Sequence, residues 1–150
     1  MEHQHGQYLI SDDPARLDAI AIHAYLSRSY WSENIPLEVV QRALQGSLCL
    51  GAYGPDGAQV GLVRIISDHA TFAYLCDVYV LEGHRRHGLA KAMVRFALRH
   101  PRLQGLRSWS LRTRDAHGLY AQLGFKPVDN PDSYMILKFP DVYRLVAEDE

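Results

Sequence analysis

Apolar and polar positions along the 150-residue chain alternate between two periods. Residues 7–10, "QYLI", read as a short first strand. Asp12, Asp13 and Pro14 follow, a carboxylate cap and a first-turn proline of the kind that starts a helix, and Leu17, Ile20, Ala21 and Ala24 then recur at helical spacing. Residues 27–36, "SRSYWSENIP", interrupt the period as a loop with two aromatics. Pro36 opens a second helix, with Val40, Ala43 and Leu44 inward and Gly46 near its end. Apolar runs at 47–53 and 58–68 flank a Pro-Asp-Gly turn and predict a hairpin, and the aromatic and β-branched run 71–81 predicts a third strand beside it. After Gly88 the period is helical again. Leu89, Met93, Phe96 and Ala97 share one face and Lys91, Arg95 and Arg99 another, until Pro101 ends the pattern. Residues 106–113 alternate as a strand, 114–125 predict a short helix closing on Gly124, 133–139 predict a last strand, and 140–150 form an acidic tail. The resulting order, β-α-α-β-β-β-α-β-α-β, describes one α+β domain over residues 1–150, layered around a mixed sheet.

Composition narrows the functions. With 47% hydrophobic and 22% charged residues the chain is of globular type. A net charge of −1 supplies no global field for nucleic acid or an anionic membrane, so neither is an expected partner and any anion site must be local. Cys49 and Cys76 lie in apolar strand-like runs and form no CxxC, which predicts reduced core thiols and fits a cytoplasmic protein. The first ten residues lack a basic segment followed by an apolar run, so no signal peptide is expected. No apolar run is long enough to span a bilayer. The eight histidines lack HExxH spacing or a CxxC partner, so no metal is expected.

The chemistry concentrates in residues 77–94, "DVYVLEGHRRHGLAKAMV". Here an apolar strand runs into Arg85, Arg86, His87 and Gly88, and a helix begins at once. A helix start offers unpaired N–H groups and the positive end of a dipole. Gly88 allows close backbone approach, and the small Ala90 leaves room for a bulky anion such as a phosphate. A P-loop and a dinucleotide fold are disfavoured, because neither GxxxxGK[ST] nor GxGxxG occurs.

The stretch "VLEGHRRHGLA" resembles the pyrophosphate-binding motif of the Gcn5-related N-acetyltransferases, the GNAT superfamily. Val80, Arg85, Gly88 and Ala90 match the pattern V-x-P-x-x-R-x-x-G-x-G/A, with Glu82 at the usual proline. "LYAQLGF" at 119–125 is similar to the family's Y-x-x-x-G-F segment, with Thr113 where an asparagine is usual. The resemblance covers nearly the whole chain. It implies a mostly antiparallel central sheet with helices on both faces and acetyl transfer from acetyl-CoA to a small-molecule or protein amine. In that reading the pyrophosphate takes the backbone from Arg86 to Lys91 (His87, Gly88, Leu89 and Ala90 between them), with Arg85 or Arg86 adding charge. Pantetheine would run along Val78, Tyr79 and Val80 like an extra strand, and Thr113 could hydrogen-bond the cofactor.

Four roles remain open on the residues alone. Tyr120, a phenol with a pKa of about 10, is the candidate acid for the thiolate leaving group; the alternative is a core tyrosine. Asp77, a carboxylate in an apolar strand, either serves a cationic amine as ligand or base or pairs with Arg64. Tyr30 and Trp31 either line the acceptor site or pack a lid. His117 either relays a proton or is a surface imidazole. An acyl-enzyme on Cys76 is disfavoured, since no paired base is visible nearby. The rival function is a non-catalytic acyl-CoA sensor on the same fold, and a homodimer is left open.

Overall fold

The computed structural model describes residues 1–144; the remainder of the expected tail, 145–150, lies outside the described residues. Six strands form one sheet in the order β1 to β6: Glu2–His5, Tyr8–Ser11, Leu48–Tyr53, Gln59–Ser67, Phe72–Val80 and Ser108–Leu111. Neighbours are antiparallel except β5 and β6, which are parallel. The helices are α1 (Ala19–Leu26), α2 (Leu37–Gln45), α3 (Leu89–Arg99) and α4 (His117–Ala121).

The central strands are buried on both faces, which is why they read as continuous apolar runs. Successive residues feed opposite cores. Leu50, Val63 and Val80 join α3 residues Met93, Val94 and Ala97 on one face. Cys49, Leu62 and Tyr79 join Ile22, Leu26 and Val40 of α1 and α2 on the other. The expected mixed, mostly antiparallel sheet flanked on both faces is therefore the architecture found.

Local chemistry explains the boundaries. Asp13 caps only a single 3-10 turn at Pro14–Arg16, through its bond from the Ala15 N–H at 2.9 Å. The true start of α1 comes later, where the Asp18 carboxylate accepts from the Ala21 N–H at 3.0 Å. α3 ends at His100, with Pro101 behind it.

The order differs from expectation at both ends. β1, with the polar sequence EHQH, has no apolar period to betray it; it is held to β2 by backbone pairing across a tight turn in which Gly6 has φ 57°. Residues 133–139 are not a strand. Tyr134 to Phe139 are exposed and make no ladder, because an apolar alternating run becomes a strand only where a partner edge receives it. The order among the described residues is thus β-β-α-α-β-β-β-α-β-α. β6 and α4 are also shorter than the 106–113 and 114–125 segments expected for them.

α3 sits closely on the sheet because Gly61 has no side chain. A Cβ there would lie 3.0 Å from both Met93 Cε and the Tyr79 carbonyl oxygen, and 3.3 Å from Ala52 Cβ. Gly61→Val is expected to lower stability by about 1–3 kcal/mol, as overpacking does. Urea unfolding would show this as a lower midpoint with an unchanged slope.

Candidate active site

One extra residue opens the cleft. Arg64 faces Asp77 and Ile65 faces Leu75, so Cys76 on β5 has no opposite number on β4 and the strand bulges there. β5 and β6 pair only from Phe72 to Leu75, and the pairing stops at the bulge. Beyond it lies a cleft of about 1640 Å³. The edge of β5 in that cleft is open. The Leu81 N–H donates to the Val60 carbonyl at 2.8 Å, so by strand alternation Tyr79 and Asp77 also turn their backbone groups to β4. Val78 and Val80 turn theirs to the cleft. The Val80 carbonyl is taken by Arg85 Nε at 3.0 Å.

The helix start closes one end. Gly88 caps α3 with φ 69°, in the left-handed region, and Arg86 shares that region with φ 69°. The first backbone bond of the helix runs from the Ala92 N–H to the Gly88 carbonyl at 3.0 Å, so the amides just before Ala92 have no helical carbonyl to meet. Glycine carries the left-handed turn without strain; Arg86 does so at a cost, as residues at anion sites often do. Two neighbours brace this turn from β1 and β2. His5 Nε2 lies 2.6 Å from the His87 carbonyl, and the Tyr8 hydroxyl lies 2.9 Å from His84 Nδ1. Arg85, expected with Arg86 as a source of charge for the pyrophosphate, lines the cleft, and beyond Val80 it donates to the Tyr25 hydroxyl at 3.2 Å.

The 27–36 loop forms the opposite wall. Trp31 donates its indole N–H to Asp77 Oδ1 at 2.7 Å, and Arg64 Nε donates to Asp77 Oδ2 at 2.6 Å. Asp77 is 4% exposed and both its oxygens are engaged, so the pairing alternative describes its contacts. Burial alone would lower the Arg64 pKa, but Asp77 beside it outweighs that and holds it above its ordinary value. Trp31 meets Tyr30 edge-on at 5.0 Å, and the Arg114 guanidinium lies 3.8 Å above the Tyr30 ring. Tyr25 stacks on Tyr79 at 3.9 Å. Glu82 anchors the loop from outside the cleft. Arg28 donates to its two oxygens at 2.9 and 3.3 Å, tying the loop to the strand end and lowering the Glu82 pKa to about 2.

Tyr120 also lines the cleft and is buried, and burial pushes its phenol up to about 12. Its ring meets Phe125 edge-on at 5.8 Å. Thr113 lines the cleft as well, but its hydroxyl accepts from the Ala116 N–H at 3.0 Å and shapes the entry to α4. His117 is exposed and is not among the cleft residues; neither is His87. The Cys76 thiol is pushed up by burial, which leaves it a poor nucleophile. Among the described residues no group of His, Cys, Asp or Glu could hold a metal ion, and no helix is long and apolar enough to cross a membrane. The rest of the expected site residues converge on the cleft. Tyr25, Arg28 and Arg114 were not expected there; only the fold brings their ordinary helix and loop positions to it.

A sheet that splays beside a bulge, with a glycine-capped helix start at the mouth of the gap, is the architecture of a GNAT-type acyltransferase domain. The profile of the acetyltransferase (GNAT) domain matches residues 46–127, from just before β3 to just past α4. A Gibberella zeae protein described as a candidate acetyltransferase is 38% identical over 81% of this chain and 80% of that protein. A crystal structure from Xanthomonas campestris pv. campestris, of a candidate acetyltransferase of the GNAT family, is 48% identical and covers 93% of this chain and 99% of that one, with a TM-score of 0.88. A structure from Deinococcus radiodurans, at 23% identity and a TM-score of 0.70, covers 95% and 93% and shares the fold. The chain belongs to the GNAT acetyltransferase family.

Removing the Asp77 carboxylate leaves the Arg64 guanidinium buried without its partner. Asp77→Ala is expected to cost about 3–5 kcal/mol of stability in urea unfolding, whereas replacing Asp77 and Arg64 together with apolar residues of similar volume should recover most of it.

Proposed function

We propose that the protein transfers an acetyl group from acetyl-CoA directly to an amine while both are bound in the cleft. The observation that carries this reading is the juxtaposition, in one cleft, of the open β5 edge at Val78, the glycine-capped start of α3 and the Tyr120 phenol. Acetyl-CoA, when bound, supplies the activated thioester. The residues present suit it. The left-handed Gly88 leaves the helix-start amides clear of side chains, and the only atoms a Cβ at Gly88 would meet are those of the His5 ring, at 3.8 Å and beyond. Arg86 and Lys91 add positive charge beside the diphosphate position. The Val78 N–H and C=O are oriented to pair with the pantetheine amides, and that N–H can polarise the thioester carbonyl.

Tyr120, like any phenol, is protonated at neutral pH, and burial raises its pKa further, so it has a proton to give to the departing sulfur. Trp31 and Tyr30 line the acceptor side. Asp77, held by Arg64 and Trp31, acts as a positioning residue that sets the indole against the cleft wall. Water takes the amine's proton in this reading.

An assay of acetyl-CoA consumption across a panel of small amines and peptide amines tests the function; cofactor binding with no turnover on any amine would favour the non-catalytic sensor. Tyr120→Phe is expected to lower kcat by about 10²–10⁴-fold with little change in acetyl-CoA affinity, since the ring is kept. In the unsubstituted protein the contribution of Tyr120 should persist above a pH of about 10, where an ordinary phenol is already half ionised, because the raised pKa postpones loss of the donor proton. Gly88→Val is expected to abolish acetyl-CoA binding in calorimetric titration. Unchanged affinity in the folded variant would remove the diphosphate from the α3 start.

A further inference from the structure

We propose that the acceptor amine carries an anionic group, a carboxylate or a phosphate, which the Arg114 guanidinium binds while the amine lies at the thioester. This rests on the acetyl-transfer reading and names the class of acceptor that the same cleft takes. Arg114 lines the cleft with its side chain held in place. Its guanidinium lies 3.8 Å above the Tyr30 ring, and its backbone N–H donates to the Tyr30 hydroxyl at 3.4 Å. Stacking of this kind fixes the guanidinium plane and leaves its edge free to donate. Among the described residues no carboxylate pairs with Arg114. A guanidinium fork set in one orientation fits a carboxylate or a phosphate through two parallel hydrogen bonds.

The ring beneath the guanidinium is braced in turn. Trp31 meets Tyr30 edge-on at 5.0 Å, and the Trp31 indole is tied to Asp77, which Arg64 holds. Braced as it is, Tyr30 remains 49% exposed and lines the cleft. It also stands beside the reaction centre. After burial, the Tyr30 phenol is the next cause of the raised Tyr120 pKa. Arg114 and the proposed proton donor thus share Tyr30 as a neighbour, which puts an anion on Arg114 within one small molecule of the departing sulfur.

The other charges on this wall favour the same class of acceptor. Asp77 has both oxygens engaged and its charge offset by Arg64, so it offers an ammonium group little. Arg112 and Lys138 line the cleft with Arg114, and among the described residues neither has a carboxylate partner. Besides Asp77, the carboxylates lining the cleft are Glu33 and Asp115. With Asp77 set against Arg64, positive charge is in excess on this wall, and such a field draws an amine that also carries an anion over a polyamine. A purely cationic acceptor would leave the Arg114 fork unused.

Acetyl-CoA consumption on amine pairs that differ by one anionic group tests the proposal: glycine and glycinamide, γ-aminobutyrate and its amide, phosphoethanolamine and ethanolamine, an aspartyl and an asparaginyl dipeptide. At least one anionic member is expected to exceed its partner by about 10- to 100-fold in kcat/KM, the effect of a charge-assisted hydrogen bond. The pair that does so tells carboxylate from phosphate. Arg114→Met should erase that preference by raising KM for the anionic member, with the neutral member and acetyl-CoA affinity unchanged. Arg114→Lys keeps the charge without the fork and should restore part of it; it serves in place of Arg114→Met should the latter fail to fold. No preference for an anionic member in any pair overturns the proposal, as does an Arg114→Met loss that falls equally on both members. Absence of turnover on every amine overturns the transfer reading instead. Calorimetric titration of the same pairs into protein saturated with CoA then decides the anion site: tighter binding of a charged member, lost in Arg114→Met, upholds it, and equal binding overturns it.

Discussion

At Cys76, β5 carries one more residue than the part of β4 that faces it, and the sheet cannot stay closed on the β6 side. A parallel pair needs continuous register to keep its slanted hydrogen bonds. Once the bulge turns β5, the pairing with β6 ends at Leu75 and the backbone groups of Val78 face open space. The functional reading depends on that gap. Without it there is no edge for an extended ligand to join and no opening between the α3 start and Tyr120.

The bulge also places Asp77 directly after it, opposite Arg64, where the two charges are buried together. A buried ion pair contributes little net stability in general, because desolvation offsets the attraction. Its effect here is geometric. Arg64 also reaches the Ser47 hydroxyl at 3.0 Å, and Asp77 takes the Trp31 indole N–H, so a loop that the apolar pattern leaves unspecified is pinned to the floor of the cleft. Arg28 with Glu82 pins the same loop from outside. Glu82 stands where the related motif has proline, and its partner gives that departure a structural reason.

At the other end of the cleft, the backbone at the start of α3 adds its partial positive charge to that of the arginines lining the same cleft. Arg85 is engaged by the Val80 carbonyl and the Tyr25 hydroxyl. The left-handed Gly88 and the amides that follow it are oriented toward an anion. The hairpin of β1 and β2 supports this turn through His5 and Tyr8, so a segment remote in sequence holds the candidate anion site in shape.

The sequence by itself determined the features whose signals are local. Alternating and continuous apolar runs located β2 to β5, the glycine and the apolar stripe located α3, and the residues from Arg85 to Lys91 marked the helix start, because period and cap chemistry act over a few residues. Tyr120 and Trp31 could be singled out as candidates, and Arg64 was already visible as an alternative partner for Asp77. Tertiary structure decided the rest. β1 exists because β2 offers it an edge, although its own sequence is polar. Residues 134–139 have the apolar pattern of a strand and are not one, since strand formation is settled by hydrogen bonds to a neighbour and not by the segment alone. The contacts of Asp77 and the stacking of Tyr25 on Tyr79 and of Arg114 on Tyr30 join residues far apart in the chain. Such pairings depend on how the sheet splays and where the loop crosses it, and no local period carries that information.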